Sequence, residues 1–147
     1  MPRNGFTLVE LIVVIAVMAL LTGAVVLTVA SPGGASDSAT RFASRLAAAR
    51  DEAVLSGRPV SAWVSPSGYG FDQLRGGRWQ RMAERPFEGA DWDKGTAVRT
   101  ATGTGEGRMR VRFDSLGLPD QPVALRIERD GRAAGVRVAA NGDVTVE

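Results

Sequence analysis

The sequence predicts an α+β protein, in which a long N-terminal helix is followed by an antiparallel β-sheet head. The first observation is the uncharged apolar run Leu11–Ala30, which starts directly after Glu10. The second is a stripe of apolar residues at helical spacing within residues 37–56. The third is a change, from Val60 onward, to short alternating segments separated by turns that contain Gly or Pro.

Composition limits the chemistry that this chain can perform. Its 147 residues include no Cys and no His, which excludes thiol catalysis, disulfides, Cys/His zinc sites and imidazole-based triads. The net charge is +2, and Lys94 is the one lysine in the sequence. Arginine suits bidentate pairing with carboxylates or phosphates, but ordinary surface charge explains this bias better than a nucleic-acid surface does. We therefore predict no enzyme activity and no cofactor.

The apolar run predicts a transmembrane helix over residues 6–30. About 20 apolar residues suffice to cross a bilayer as a helix. Glu10 lies at the edge of this span, where a carboxylate is costly and needs a positive partner near the helix start. Two other interpretations compete, a plain membrane anchor and a secretory signal peptide cleaved after Ala30. The apolar core of a signal peptide is usually about 7–15 residues, much shorter than this run.

A motif surrounds that carboxylate. The stretch Gly5-Phe6-Thr7-Leu8-Val9-Glu10 resembles the class III signal of type IV pilins and type II secretion pseudopilins. The resemblance implies a leader peptide over residues 1–5, cleavage between Gly5 and Phe6, and N-methylation of Phe6. It also implies that Glu10 pairs with the new α-amine of a neighbouring subunit and so aligns subunits as a filament grows. A helix N-terminus itself favours a carboxylate at this position.

A joint is predicted at residues 31–36, between the membrane helix and the head at residues 37–147. Pro32 is followed by two glycines, and this combination ends or kinks a helix. In the resembling family the N-terminal helix usually continues into the head. We therefore expect a break near Pro32 as a departure from that family pattern.

A second, amphipathic helix is predicted over residues 37–56. Ser36 or Asp37 is the expected N-cap, and Gly57 is the expected C-terminal stop. An apolar stripe at helical spacing is predicted to pack on the core. It consists of Ala39, Phe42, Ala43, Leu46, Ala49, Ala53 and Val54.

Residues 59–147 predict a β region built from antiparallel hairpins. The expected strands are 60–64, 69–74, 78–82, 97–101, 108–113, 123–128, 134–139 and 144–146. Residues 85–95 are expected to form a loop and residues 102–107 a polar connection. The turn at Gly117 and the ending Gly142-Asp143-Val144 resemble the GspH/FimT branch of minor pseudopilins and minor pilins.

Two clusters in the head are candidate sites. A basic strand face is predicted at Arg108, Arg110 and Arg112, which alternate with apolar residues. This face is a candidate partner interface or DNA contact. Acidic residues interleave with these and later arginines, which favours ion pairs or a protein interface over DNA. The Asp91–Gly95 segment has part of a calcium-loop spacing but lacks the third ligand and the distal Glu. We interpret it as a solvated acidic turn and predict no metal site.

The resemblance implies a minor pseudopilin of a type II secretion system, held in the bacterial inner membrane by a single span with its head in the periplasm. Its implied partners are the prepilin peptidase and methylase, other major and minor pseudopilins, inner-membrane lipid and secreted cargo. The alternative is a FimT/FimU-like minor type IV pilin in pilus assembly or DNA uptake. A secreted or anchored binding module is a third interpretation, and its mature chain would not begin at Phe6.

Overall fold

The computed structural model of the chain describes residues 8–28, 33–100 and 108–147. The chain divides into two compact units, Met1–Pro32 and Gly33–Glu147. The predictions on the leader, the cleavage bond, Pro32 and the polar connection at 102–107 fall on residues outside the described ranges.

The first unit contains helix α1, Leu8–Thr28. Glu10, in the first turn, is the one charged residue of this helix. The side chains from Leu8 to Met18 are all exposed. Within the described ranges, no helix meets the combined length and apolarity needed to span a membrane.

The second unit contains a helix and two antiparallel sheets. Its elements are α2 (Ala35–Ser56), β1 (Val60–Val64), β2 (Gly68–Arg75), β3 (Arg78–Arg81), β4 (Ala90–Asp91), β5 (Ala97–Thr100), β6 (Met109–Phe113), β7 (Val123–Arg129), β8 (Arg132–Val138) and β9 (Val144–Val146). The first sheet has the order β3-β2-β1-β6, with β4 also pairing with β2, and the second has the order β5-β7-β8-β9. The alternating pattern predicted the strands but could not show that β5 joins the second sheet before the chain returns to the first.

Helix α2 packs against strands of both sheets and so builds one core between them. Phe42 and Leu46 of α2 are fully buried there. They meet Phe71 and Phe113 from the first sheet and Ile127 from the second, which are fully buried as well. Burying a large apolar side chain stabilises a fold by about 1.5–3 kcal/mol, so this cluster holds helix and sheets together.

The start of α2 differs from the prediction. Its N-cap is Gly34, which makes no side-chain cap hydrogen bond, so the expected cap at Ser36 or Asp37 is wrong. Asp37 instead lies in the first turn, where its carboxylate accepts a hydrogen bond from the Gly33 N–H at 2.5 Å. This bond satisfies a backbone donor just before the helix. The end is as predicted, because Gly57 adopts φ of +62° in a left-handed C-cap.

The apolar stripe of α2 is buried at every predicted position except Val54. The side chain of Val54 is 48% exposed, so its assignment to the core is wrong. Each residue turns an α-helix by about 100°, and this rotation carries Val54 away from the face on which Ala53 is buried. Ala35 and Ser38 extend the buried face by another turn at the N-terminal end.

The predicted loop at residues 85–95 contains a short strand. Ala90 and Asp91 form β4, which pairs with Tyr69 and Gly68 of β2. The loop prediction is therefore wrong for these two residues. Two residues are too few for a period of two to be recognised in a sequence.

Candidate interface residues

Three predicted site residues belong to the first unit. Gly5 and Phe6, the predicted cleavage and methylation positions, lie outside the described residues. Glu10 lies in the first turn of α1 with its side chain exposed. The N–H groups of a helix's first turn attract an anion, so this position suits a carboxylate.

The first sheet turns one face away from α2, and we call this its outer face. Trp63 of β1 pairs with Gly70 of β2 on one side and with Arg110 of β6 on the other. In β6 the arginines alternate with Val111 and Phe113, which are buried on the inner face, so the predicted division of this strand is confirmed. By register the outer face carries Trp63, Asp72, Leu74, Trp79, Arg81, Arg110 and Arg112.

Trp63 is fixed in position by its two neighbours. A Cβ atom at Gly70 would lie 2.5 Å from Cζ2 of the Trp63 ring, so the indole lies directly on the Gly70 backbone. The Arg108 guanidinium is stacked on the ring, with Cζ 4.6 Å from the ring centroid. Such a cation–π contact contributes about 0.5–1 kcal/mol at an exposed site. The result is an ordered aromatic and cationic platform on the outer face.

The other two predicted arginines of this face behave differently. Arg110 forms an ion pair with Asp72 at 3.4 Å, and Asp72 is largely covered, with 15% of its side chain exposed. Arg112 donates its backbone N–H to Asp120 at 3.3 Å, while its side chain is exposed. Across the described residues, no carboxylate is in ion-pair distance of the Arg108 or Arg112 guanidinium. Strand β6 and the residue before it therefore present one paired cation, Arg110, and two unpaired ones.

The outer face of the second sheet, which also points away from α2, has its charges paired. Glu128 accepts from Arg126 at 2.9 Å and lies 3.5 Å from Arg99. Arg137 and Glu147 form a further ion pair at 2.7 Å. The hydrogen bond from Arg137 holds the pKa of the Glu147 carboxyl below its ordinary value. Small residues at Ala124, Ala133 and Gly135 leave a groove of about 490 Å³ between these pairs.

The acidic turn predicted at residues 91–95 is tied to the rest of the head. Asp93 accepts hydrogen bonds from Arg41 of α2 at 2.7 Å and from Arg129 of β7 at 3.0 Å. The bond from Arg41 is the main reason why the pKa of Asp93 lies below its ordinary value. Arg129 also donates to the backbone carbonyl of Gly33. In the part of the chain that the structure describes, no cluster of three acidic side chains could hold a metal ion.

A helix followed by a head in which α2 covers two antiparallel sheets defines a pilin-like α+β protein. The family described as "Type II transport protein GspH" matches residues 38–142, and the "Prokaryotic N-terminal methylation motif" matches residues 1–26. Because the first match covers most of the chain, the protein belongs to the GspH family. This confirms the family resemblance that the N-terminal motif and the C-terminal turns predicted.

Solved structures of three proteins have similar folds. The minor pseudopilin EpsH of Vibrio cholerae has a TM-score of 0.65 at 23% identity, over 78% of this chain and 96% of its own. The type IV minor pilin FimU of Pseudomonas aeruginosa has a TM-score of 0.60 at 15% identity, over 77% and 87%. Escherichia coli GspH has a TM-score of 0.59 at 20% identity, over 75% of this chain and 84% of its own. At these identities the likeness shows the fold alone, and among curated proteins no match was found.

Proposed function

We propose that the chain, a minor pseudopilin of type II secretion, assembles into a pilus-like filament and supports protein export across the outer membrane. The observation that carries this function is the match of the head to the GspH family together with the methylation motif at the N-terminus. The likeness to EpsH, itself described as a minor pseudopilin, supports the same role through the fold.

The N-terminal segment is processed and then anchors the protein. A prepilin peptidase removes residues 1–5 by cleavage between Gly5 and Phe6, and the new terminus at Phe6 is methylated. Residues 6–30 then hold the protein in the bacterial inner membrane, with its head in the periplasm. The uncharged run Leu11–Ala30 supports this anchor, since about 20 residues of helix match a hydrocarbon core of about 30 Å. In this scheme the protein is the substrate of two enzymes and is not itself an enzyme.

Glu10 sets the register between subunits. Its carboxylate pairs with the methylated α-amine of Phe6 in a neighbouring subunit, and this pairing aligns the helices as the filament grows. The exposed position of Glu10 in the first turn of α1 supports this role. A charge pair in an apolar surrounding is strong when complete and costly when one partner is missing, so it selects a single register.

The outer face of the first sheet contacts other pseudopilins or secreted cargo. Protein interfaces are enriched in Trp and Arg, and their strongest contacts are usually made by these residues. Trp63 with Arg108 provides an ordered platform of this kind, and Arg112 adds an exposed cation. An acidic, partly apolar partner surface fits this face best.

Mass analysis of the N-terminus tests the processing step. Protein isolated from its own membranes should begin with N-methylated Phe6, whereas a mature chain beginning at Ser31 would exclude the pilin-type pathway. The Glu10→Val variant should still be cleaved but should not support export. Glu10→Asp keeps the charge and is the matched control, which should retain most export. Normal export by Glu10→Val would contradict the register role.

A minor type IV pilin is the second candidate, and the fold likeness to FimU favours it. Deleting the gene separates the two functions. Loss of export with normal pili supports the pseudopilin, and loss of pili with normal export supports the pilin. DNA uptake adds a further requirement, because the protein should then bind DNA with an affinity that falls steeply with salt. Reversing the charges of Arg108, Arg110 and Arg112 should abolish such binding.

A further inference from the structure

A small polar pocket lies between α2 and the segment around β4. Its volume is about 240 Å³, the scale of a single amino-acid side chain. One wall comes from α2 and the other from β2 and the turn after β4. The side chains that decide its chemistry are Ser38, Arg41, Arg45, Tyr69, Trp92 and Asp93.

Three of these side chains form a line along α2. Ser38, Arg41 and Arg45 are spaced three and four residues apart, which places them above one another on one side of a helix. Two arginines four residues apart repel each other, so the helix alone gains nothing from this arrangement. Contacts outside the helix, to Asp93 and to the Glu88 carbonyl, therefore hold the two arginines in this line.

The pocket is rich in unused hydrogen-bond donors. Arg41 gives one N–H to Asp93 at 2.7 Å, and Arg45 gives one to the Glu88 carbonyl at 3.0 Å. A guanidinium has five N–H donors, so most donors of both groups are left for a ligand. Ser38 is 3% exposed, and its hydroxyl has no hydrogen-bond partner among the described residues. A buried hydroxyl without a partner is costly, which points to a ligand that accepts from it.

Two aromatic side chains, Tyr69 and Trp92, also line the pocket, and the Tyr69 hydroxyl adds one more donor. Tyr69 and Trp92 pack with ring centroids 4.8 Å apart, and the Arg45 guanidinium lies 5.6 Å from the centroid of the Tyr69 ring. Burial raises the pKa of Tyr69, so its hydroxyl keeps its proton at neutral pH.

The acidic residues of the pocket leave Arg45 without a carboxylate partner among the described residues. Asp93 is shared between Arg41 and Arg129. Asp91 lies against Gly68, and its Oδ1 is 3.1 Å from the place that a Cβ atom added to Gly68 would occupy. The lining thus has two arginines and two carboxylates, but Arg45 forms no ion pair among the described residues and its guanidinium is left for a ligand. Arg41 is also 58% exposed, so a protein surface can reach the pocket.

We propose that this pocket binds an Asp or Glu side chain of another pseudopilin subunit. The identity of this partner rests on the proposed function. The carboxylate accepts N–H groups from Arg41 and Arg45 and the hydroxyl proton of Ser38. The methylene groups of the bound side chain lie against Trp92 and Tyr69. A site of this design adds a polar, charge-specific contact on α2 to the contacts of the membrane helices.

Site-specific photocrosslinking of the full-length protein in its own cells tests this proposal. The photoreactive residue p-benzoylphenylalanine replaces Asp91, which lines the pocket but donates nothing to it, or replaces exposed Lys94 in a second strain. Irradiation should link the protein to another pseudopilin, and the linked partner peptide should contain Asp or Glu. Changing that acidic residue to its amide in the partner should reduce the adduct by about tenfold or more, the effect of losing a charged hydrogen bond.

Variants of the pocket complete the test. Arg41→Gln with Arg45→Gln should reduce the adduct to a similar extent, while Arg75→Gln with Arg78→Gln, on another edge, should leave it unchanged. Ser38→Ala should weaken it several-fold without harming the fold, since the serine hydroxyl has no described partner to lose. An adduct that persists in all pocket variants, or a crosslinked peptide without a carboxylate, overturns the proposal.

The same strains separate this inference from the proposed function. Methylated Phe6 with normal export and no crosslink to a pseudopilin would overturn the pocket and leave the function intact. Export that does not depend on the protein would overturn the function itself. A crosslink to secreted cargo in place of a pseudopilin would also overturn the inference, because the occupant would be a different class of partner.

Discussion

The outer faces of the two sheets both carry arginines, but on only one of them does each of these arginines have a carboxylate partner. On the second sheet, Arg126 and Arg99 surround Glu128, and Arg137 is paired with Glu147. On the first sheet, Arg108 is stacked on Trp63, and in the described chain neither its guanidinium nor that of Arg112 lies within ion-pair distance of a carboxylate. A face that satisfies its own charges has little to offer a partner, whereas a face with ordered, unpaired cations does.

The difference shows why a count of arginines is a poor guide to function. The same residue type stabilises the head in one sheet and remains available for binding in the other. Exposed ion pairs contribute about 0–1 kcal/mol each, so the pairs on the second sheet add little stability individually. Their main effect is to give each of these arginines a carboxylate partner within the head.

The largest expected effect lies in the core that the two sheets share. Phe71→Ala removes a fully buried ring and should lower the free energy of unfolding by about 3–5 kcal/mol, measured by urea denaturation with Trp fluorescence. Leu116→Ala is the control, because Leu116 is 74% exposed, and it should change stability by less than about 0.5 kcal/mol. Equal effects of the two changes would show that the core is not organised as described.

A matched pair of glycines compares the two outer faces directly. Gly70→Ala should destabilise the head by about 1–3 kcal/mol, because its new methyl group would overlap the Trp63 ring. Gly135→Ala meets its nearest atom, Glu147 Cβ, at an ordinary 3.5 Å. It should therefore stabilise the head by up to about 0.5 kcal/mol, since Ala orders more readily than Gly in a strand. A tolerated Gly70→Ala would mean that the indole is free to move.

Charge reversal tests whether the unpaired face is the one that binds partners. Arg112→Glu should leave the free energy of unfolding within about 0.5 kcal/mol and strongly reduce export. Arg126→Glu breaks an ion pair on the second sheet, costs at most about 1 kcal/mol, and should leave export unchanged. Both are read from culture supernatants and urea denaturation. The reverse pattern would assign binding to the second sheet.

The smallest expected effect is a pH dependence of stability. Hydrogen bonds from arginine lower the pKa of Asp93 and of Glu147 in the folded protein. Their stabilising effect is thus complete above the ordinary carboxyl pKa of about 4 and is lost as the pH falls through the lowered folded values. Asp93→Asn and Glu147→Gln should each flatten the decline in stability below about pH 4. An unchanged slope in both variants would contradict these pairings.

Local features of the molecule were predictable from the sequence. The period of two in β6 placed Arg110 and Arg112 opposite Val111 and Phe113, and Gly57 marked the end of α2. Such signals depend on neighbouring residues alone. The N-terminal motif is equally local, and its family assignment is confirmed, while cleavage at Gly5 and methylation at Phe6 stay predictions.

Features that depend on distant residues were not predictable. Arg110 and Asp72 are 38 positions apart in the sequence. They meet across β1, because β1 pairs with both of their strands. Asp93 meets Arg41 across 52 positions, through the turn after β4. The one available signal of the pocket was the spacing of Ser38, Arg41 and Arg45 on a helix, and that spacing alone does not reveal the opposite wall.

Arg129 gives the head a particular mechanical property. It is anchored in β7, and its guanidinium binds both the Gly33 carbonyl and Asp93. A tensile force that enters the head at Gly33 is therefore shared at once with a strand of the second sheet. Several bonds must then break together, rather than the turns of α2 opening one after another. These contacts of Arg129 are the first to resist pulling, so the head can bear load before its core is disturbed.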